Sequence, residues 1–306
     1  MRSLLKFRSI QNLLGELKLL TRSKNTENTY LKGIKKFVEY FGIKDLDEFI
    51  EKNKGKKEVE VYYKKFMIYL ASQNLAPKTI GAWSSAVKKL FEVNGIPIHR
   101  KMKMRLYTIH EDVLPSKEII KKIVESANLR TKAILLFLIS SGVRAGELIN
   151  LRLKDLDFNI RPVKVRIRGV GAKERKSRIT FISNEAYNFL EKYLEERKKK
   201  GEDLNDESFV FVTKSGKQMS YQNLHFLLSN VFKKFSKKEG KRYQLHPHVL
   251  RKFFKTQLIA AGVPSPIVDK LTGHRRYLSE EYELYTEEQL REWYIKGMKN
   301  LTLGIK

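Results

Sequence analysis

Apolar residues recur at spacings of three and four through the first third of the chain, the period of amphipathic helices. Thr26 to Phe41 puts Tyr30, Ile34, Phe37, Val38 and Phe41 on one face and lysines on the other, and Gly42 is a stop signal. Glu60 to Ser72 repeats the pattern with Tyr62, Phe66, Met67 and Leu70. Pro77 suits the first position of a third helix, in which Ile80, Trp83, Val87, Leu90 and Phe91 follow before Asn94 and Gly95 end it. These stripes are the core of a small helical module, and its lysine faces remain available for phosphates.

From Ile96 to Pro115 the helical period fades into a basic run bounded by prolines, which reads as a linker. Ser116 with Glu118 opens a new helix, and Thr131 to Ser140 is apolar enough to be buried on all sides until Gly142 breaks it. Arg144 to Leu153, reading RAGELINLRL, predicts another helix. Val163 to Ile167 and Arg178 to Ile182 alternate like two strands around the loop that begins at Gly169, and after Asn184 the pattern returns to helices. The expected fold is mainly α with a small antiparallel β-hairpin or sheet in the second part.

Charge narrows the function. The 306 residues carry 62 Lys and Arg against 34 Asp and Glu, a formal surplus of +28. Through Arg105 there are 23 basic and 10 acidic residues, so the surplus is shared by both parts and is not a detachable tail. Such a surplus repels itself, and a polyanion, nucleic acid first, is the partner that offsets it. With 42% apolar residues the chain has enough material for real cores. It has no cysteine, which excludes disulfides, thiol catalysis and cysteine-ligated zinc. No apolar run reaches 18 residues and charges interrupt the N-terminal leucines, so neither a membrane span nor a secretory signal is expected, and the protein is expected in the cytoplasm with the nucleoid.

Three separated segments carry candidate chemistry. Arg144 stands at a helix entry behind Gly142, His248 and Arg251 lie three apart in LHPHVLRKFF, and Gly273-His274 is followed by Tyr277, Tyr282 and Tyr285. Taken in order and at these spacings, the set resembles the tyrosine recombinase family of phage integrases and Xer proteins, and EEYELYTEEQLREWYIKGMKNLTL is similar to archaeal integrases. The resemblance spans essentially the whole chain. It implies a two-domain DNA clamp: a helical core-binding domain at 1–104, a linker at 105–115 and a catalytic domain at 116–306. It also implies a homotetramer on two double-stranded DNA duplexes, working without a cofactor.

The residue types fit that chemistry on their own terms. Attack on a phosphodiester loads charge onto phosphoryl oxygens, which planar guanidiniums grip two at a time, so Arg144 and Arg251 form the candidate clamp. A tyrosine hydroxyl, with a reference pKa of about 10, needs help to attack, and His248 is the candidate proton acceptor. His274 is the candidate donor to a non-bridging oxygen, and a hairpin lysine can return a proton to the leaving 5′ oxygen. Glu147 resembles the family's acidic position behind the arginine, which implies that it orients Arg144. His246 reads as structural, although His246, His248 and His274 also form a three-histidine set that lacks a fourth zinc ligand.

Two positions depart from the family pattern. The hairpin has Val170 where the family's lysine usually stands, which leaves Lys173 as its substitute. The family's tyrosine commonly lies about nine residues after the glycine-linked histidine, whereas Tyr282 and Tyr285 lie on either side of that distance. Similarity of the following segment to archaeal integrases favours Tyr282, with Tyr285 second. Val170 also supports a rival reading, an architectural DNA-binding protein that has lost catalysis. On the last expected helix, Trp293, Tyr294, Ile295 and Met298 either pack on their own domain or form an interaction face.

Overall fold

The computed structural model describes residues 2–21, 23–56, 58–99, 114–169, 177–236, 238–239, 242–243, 245–274 and 285–305, and the chain divides into two units, Met1–Glu111 and Asp112–Lys306. Of the expected linker, residues 100–113 lie outside the described residues, whereas Ile96 and Ile98 are buried in the core of unit one and do not belong to a linker.

Unit one is built from α1 (Arg8–Leu20), α2 (Lys24–Phe41), α3 (Leu46–Asn53), α4 (Glu58–Ser72) and α5 (Pro77–Val93). Helix starts follow local chemistry: the side chain of Ser23 accepts from the Thr26 N–H, and that of Asp45 accepts from those of Asp47 and Glu48. Gly42 ends α2 in the left-handed conformation expected of it, at φ +62°. Phe37 is fully buried, with ring centroids 5.0 to 6.1 Å from Phe41, Phe49, Phe66 and Phe91. Helices α2 and α5 approach so closely at Gly33 that a Cβ there would lie 2.8 Å from the Trp83 Cα.

Unit two wraps around α7 (Leu129–Ser141), in which every residue from Ala133 to Ser141 is buried. Before it lies α6 (Lys117–Glu125), whose start is capped by Ser116 accepting from the Ile119 N–H. After it come α8 (Ala145–Leu148) and a three-stranded antiparallel sheet of β1 (Leu156–Asp157), β2 (Val163–Ile167) and β3 (Arg178–Ile182), in that spatial order. The β2–β3 register pairs Val163 with Ile182 and Ile167 with Arg178, so the two expected strands form one hairpin. Helices α9 (Asn184–Lys199) and α10 (Tyr221–Phe232) follow, then the short pair β4 (Lys238–Glu239) and β5 (Arg242–Tyr243). The chain finishes with α11 (Pro247–Ala260), α12 (Ser265–Thr272) and α13 (Glu287–Leu301).

One expectation is corrected. Arg144 to Leu153 is not a continuous helix: α8 is a single turn, and the chain then bridges from Arg152 to Phe209. Backbone bonds from Val210 N to Leu151 O at 2.9 Å and from Leu153 N to Ser208 O at 2.9 Å replace helical ones, a long-range pairing that local periodicity does not encode. Strand β1 was also not foreseen, being only two residues long. On α13, Tyr294 is fully buried and donates to the Ser140 carbonyl at 2.8 Å, while Trp293 and Met298 pack partly against the same core and Ile295 stays exposed. No helix among the described residues is long and apolar enough to cross a membrane.

Candidate active site

The end of the buried helix α7 delivers Arg144. Gly142 closes that helix at φ +62°, and a Cβ on it would lie 2.4 Å from the Phe254 ring, so both the turn and the packing require glycine. Arg144 then sits at the N-cap of α8. Its backbone N–H donates to Glu147 Oε2 at 2.8 Å and its Nη1 to Glu147 Oε1 at 3.0 Å, and Nη2 reaches the Gly273 carbonyl at 3.2 Å. Its side chain remains 22% exposed, within reach of a ligand arriving from solvent.

Pro247 starts α11, and the helical spacing puts His248 and Arg251 on one face as expected. Arg251 is buried and donates from Nη1 to the Gly142 carbonyl and from Nη2 to the Thr272 carbonyl. His248 is exposed on the first turn, its ring nearly parallel to that of His246 with centroids 6.4 Å apart.

These contacts make the C-terminus of α12 the meeting point. Gly273 ends that helix at φ +63°, leaving carbonyls without intrahelical donors at the negative end of the helix dipole. Three arginines take three consecutive carbonyls there: Arg178 Nε donates to Leu271 O at 3.1 Å, Arg251 to Thr272 O and Arg144 to Gly273 O. His274 follows directly and is exposed. Its backbone N–H donates to the Asp269 carbonyl at 2.9 Å, and its Nδ1 lies 4.0 Å from Asp269 Oδ1, which accepts from Lys255 Nζ at 2.7 Å.

Arg178 is the member of this group that sequence reasoning missed, having counted only as the first residue of a strand. Its guanidinium makes a two-pronged pairing with Glu147, Nη1 to Oε1 at 2.9 Å and Nη2 to Oε2 at 2.7 Å. In a chain with 62 basic residues, one more at a strand end carries no signal of its own. Glu147 is buried between Arg178 and Arg144, in the orienting position foreseen for it. Burial pushes its carboxyl pKa up, but the hydrogen bonds and charge of Arg178, then those of Arg144, outweigh this and hold it below the ordinary value of 4.5. The four side chains Arg144, Arg178, Arg251 and Glu147 are together net positive, which suits a site for a phosphate.

The structure therefore brings Arg144, Arg251 and the His274 backbone to one helix end, with His248 one turn before Arg251. Lys173, Tyr277 and Tyr282 lie outside the described residues. Tyr285 immediately precedes the N-cap of α13 and is partly buried against the cluster that includes Ile179, Trp293 and Met298. Among the described residues no group of three or more His, Asp or Glu is arranged to hold a metal ion.

Residues 111–290 match the model of the phage integrase family. The chain belongs to that family. Among this integrase's relatives, the tyrosine recombinase XerA of Pyrococcus horikoshii is 29% identical over 90% of this chain and 88% of its own. The tyrosine recombinase XerC of Bacillus pumilus is 27% identical over 88% and 89%. The integrase's fold is also that of the Tn1549 transposon integrase solved with a circular intermediate DNA, at TM-score 0.64 and 19% identity over 94% of this chain and 98% of that one. The XerH recombinase bound to its difH substrate gives 0.61 at 20% identity, over 87% and 77%.

Proposed function

We infer that this integrase is a site-specific DNA recombinase of the tyrosine class, which cuts and rejoins DNA strands through a covalent tyrosine–phosphate intermediate. The observation that carries this reading is the convergence of Arg144 and Arg251, more than a hundred residues apart, on the adjacent carbonyls of Gly273 and Thr272 beside His274. Such a cluster is built to receive the negative charge that grows on a phosphoryl group under attack.

In the proposed reaction the Tyr282 oxygen bonds to phosphorus and the bond from phosphorus to the 5′ oxygen breaks, leaving the 3′ phosphate on the tyrosine. His248 accepts the tyrosine proton, and Lys173 supplies a proton to the departing 5′ oxygen. Arg144 and Arg251 hold the non-bridging oxygens, and His274 donates to one of them. A 5′-hydroxyl of another duplex reverses the step, so exchange needs no ATP because the bond energy is kept in the ester. The assignment divides the chain into a helical DNA-binding domain at 1–104, a linker at 105–115 and a catalytic domain at 116–306. Four copies on two duplexes form the synaptic complex, and the enzyme works on the nucleoid in the cytoplasm. DNA in the solved neighbours supports the choice of partner.

Covalent trapping tests the assignment. The protein is incubated with supercoiled DNA carrying its own gene and flanks, quenched with detergent and digested, and tyrosine peptides are searched for nucleotide adducts by mass spectrometry. An adduct on Tyr282 is expected. One on Tyr285 moves the nucleophile three residues, and none on either, with binding intact, leaves an architectural DNA-binding protein. Arg144→Ala should keep DNA binding and lose about 10²–10³ in adduct formation.

A further inference from the structure

We propose that Arg178 is a positioning residue for DNA cleavage, holding Glu147 and the end of α12 so that Arg144 and Arg251 face the phosphate together. The proposal rests on the recombinase reading given above.

What separates Arg178 from the two arginines proposed to touch DNA is its partner and not its burial, since Arg251 is as buried as Arg178 while Arg144 is 22% exposed. The charge of Arg178 is met by a carboxylate along both prongs, whereas the Nη groups of Arg251 donate to the neutral Gly142 and Thr272 carbonyls. The Arg178 fork is spent inside the protein: Nη1 and Nη2 on the two oxygens of Glu147, and Nε on the Leu271 carbonyl. The same Glu147 oxygens take the Arg144 backbone N–H and Nη1, so the carboxylate is one joint between the two guanidiniums. The Leu271 carbonyl is next in line to the Thr272 and Gly273 carbonyls on which Arg251 and Arg144 rest. The approach is close on that side too, since a Cβ on Gly273 would lie 2.8 Å from Arg178 Cδ.

Arg178 also opens β3, where it pairs with Ile167 across the hairpin. One planar group thus ties a strand of the sheet, the turn that carries Arg144 and the helix end that precedes His274. A lysine at this place would keep the charge but could not span both Glu147 oxygens and Leu271, because an ammonium is a point and not a fork. The carboxylate would then be free to rotate with Arg144.

The test uses the full-length protein, Arg178→Lys and Glu147→Gln. The cleavage site is first mapped with the unmodified protein on DNA carrying its own gene and flanks. Adduct formation is then timed on that duplex and on one whose scissile phosphate is a methylphosphonate, where a methyl group removes the charge that the arginines must neutralise. Arg178→Lys should melt within a few degrees of the unmodified protein, bind DNA normally and form adduct about a hundredfold more slowly. On methylphosphonate DNA most of that loss should disappear. Glu147→Gln should show the same selective recovery, and the double variant should be no worse than the worse single one. The double-variant comparison and the ratio between the two substrates keep the test decisive where Arg178→Lys lowers the melting temperature. An unchanged rate for Arg178→Lys, an equal loss on both substrates, or additive losses would overturn the proposal. If the unmodified protein forms no adduct, the recombinase reading itself fails, and the positioning role with it.

Discussion

The two units are stabilised by different means. Among the described residues, the buried polar side chains of unit one are Ser9, Asn53 and Ser84, none charged. Its centre is a set of edge-on aromatic contacts around Phe37. Unit two buries Glu147, Asp155, Arg197, Arg251 and Asp269. Buried charge is costly unless it is paired and bonded, and a well-packed apolar core of the same shape is often as stable. Of these five residues, Glu147, Arg251 and Asp269 lie at or beside the end of α12, so much of the buried charge among the described residues gathers at the candidate site, while Asp155 and Arg197 hold loops elsewhere in unit two.

The comparison breaks most strongly at Phe37. Phe37→Ala should remove about 3–5 kcal/mol from unit one, because the ring is fully buried among other rings that cannot collapse into the space. The two tryptophans make this measurable, Trp83 in unit one and Trp293 in unit two. Urea unfolding followed by Trp83 in a Trp293→Phe background should shift. An equal shift of Trp293 in the converse background would mean that the two cores melt as one.

Glu147→Gln probes the charged core. Removing one partner of a buried pair costs about 3–5 kcal/mol, and because the amide keeps only one acceptor oxygen, two of the four hydrogen bonds to the carboxylate are lost along with the charge. The pH dependence is the sharper readout. Because its folded pKa lies below 4.5, Glu147 contributes stability above that pH and loses it as the pH falls through the folded value. The variant should therefore show a flatter acid limb in melts taken from neutral pH downward, and an unchanged limb would mean that other carboxylates set it.

Tyr294→Phe is the mildest of the three. Loss of its hydrogen bond to the Ser140 carbonyl should cost about 1–2 kcal/mol. Burial pushes the phenol pKa well above 10.0, so the contribution from this group is intact below pH 10 and lost as pH rises through the folded value. The variant should resist alkaline unfolding better, relative to its own neutral-pH stability, than the unmodified protein.

Much of the architecture was legible in the chain. The faces of α2, α4 and α5, the fully buried α7, the stop at Gly142 and the β2–β3 hairpin all followed from apolar period and turn residues, which act between near neighbours. Arg144 to Leu153 misled because a local helical reading contains no signal of the distant segment at Phe209 with which the chain pairs instead. At the site, Arg144, His248, Arg251 and His274 were legible by their type and spacing, and Glu147 by its place behind the arginine. Arg178 was not, since its importance lies in partners 31 and 93 residues away.

The sequence by itself determined the helical periods and the excess of positive charge, because each depends on composition or on residues a few positions apart, and it supplied candidates for work on a phosphate. Only the tertiary structure decided which carbonyls the arginines of the site hold. The end of α12 offers three acceptors with no donors of their own, and guanidiniums from three distant segments are satisfied there together, a result of packing that no local pattern specifies.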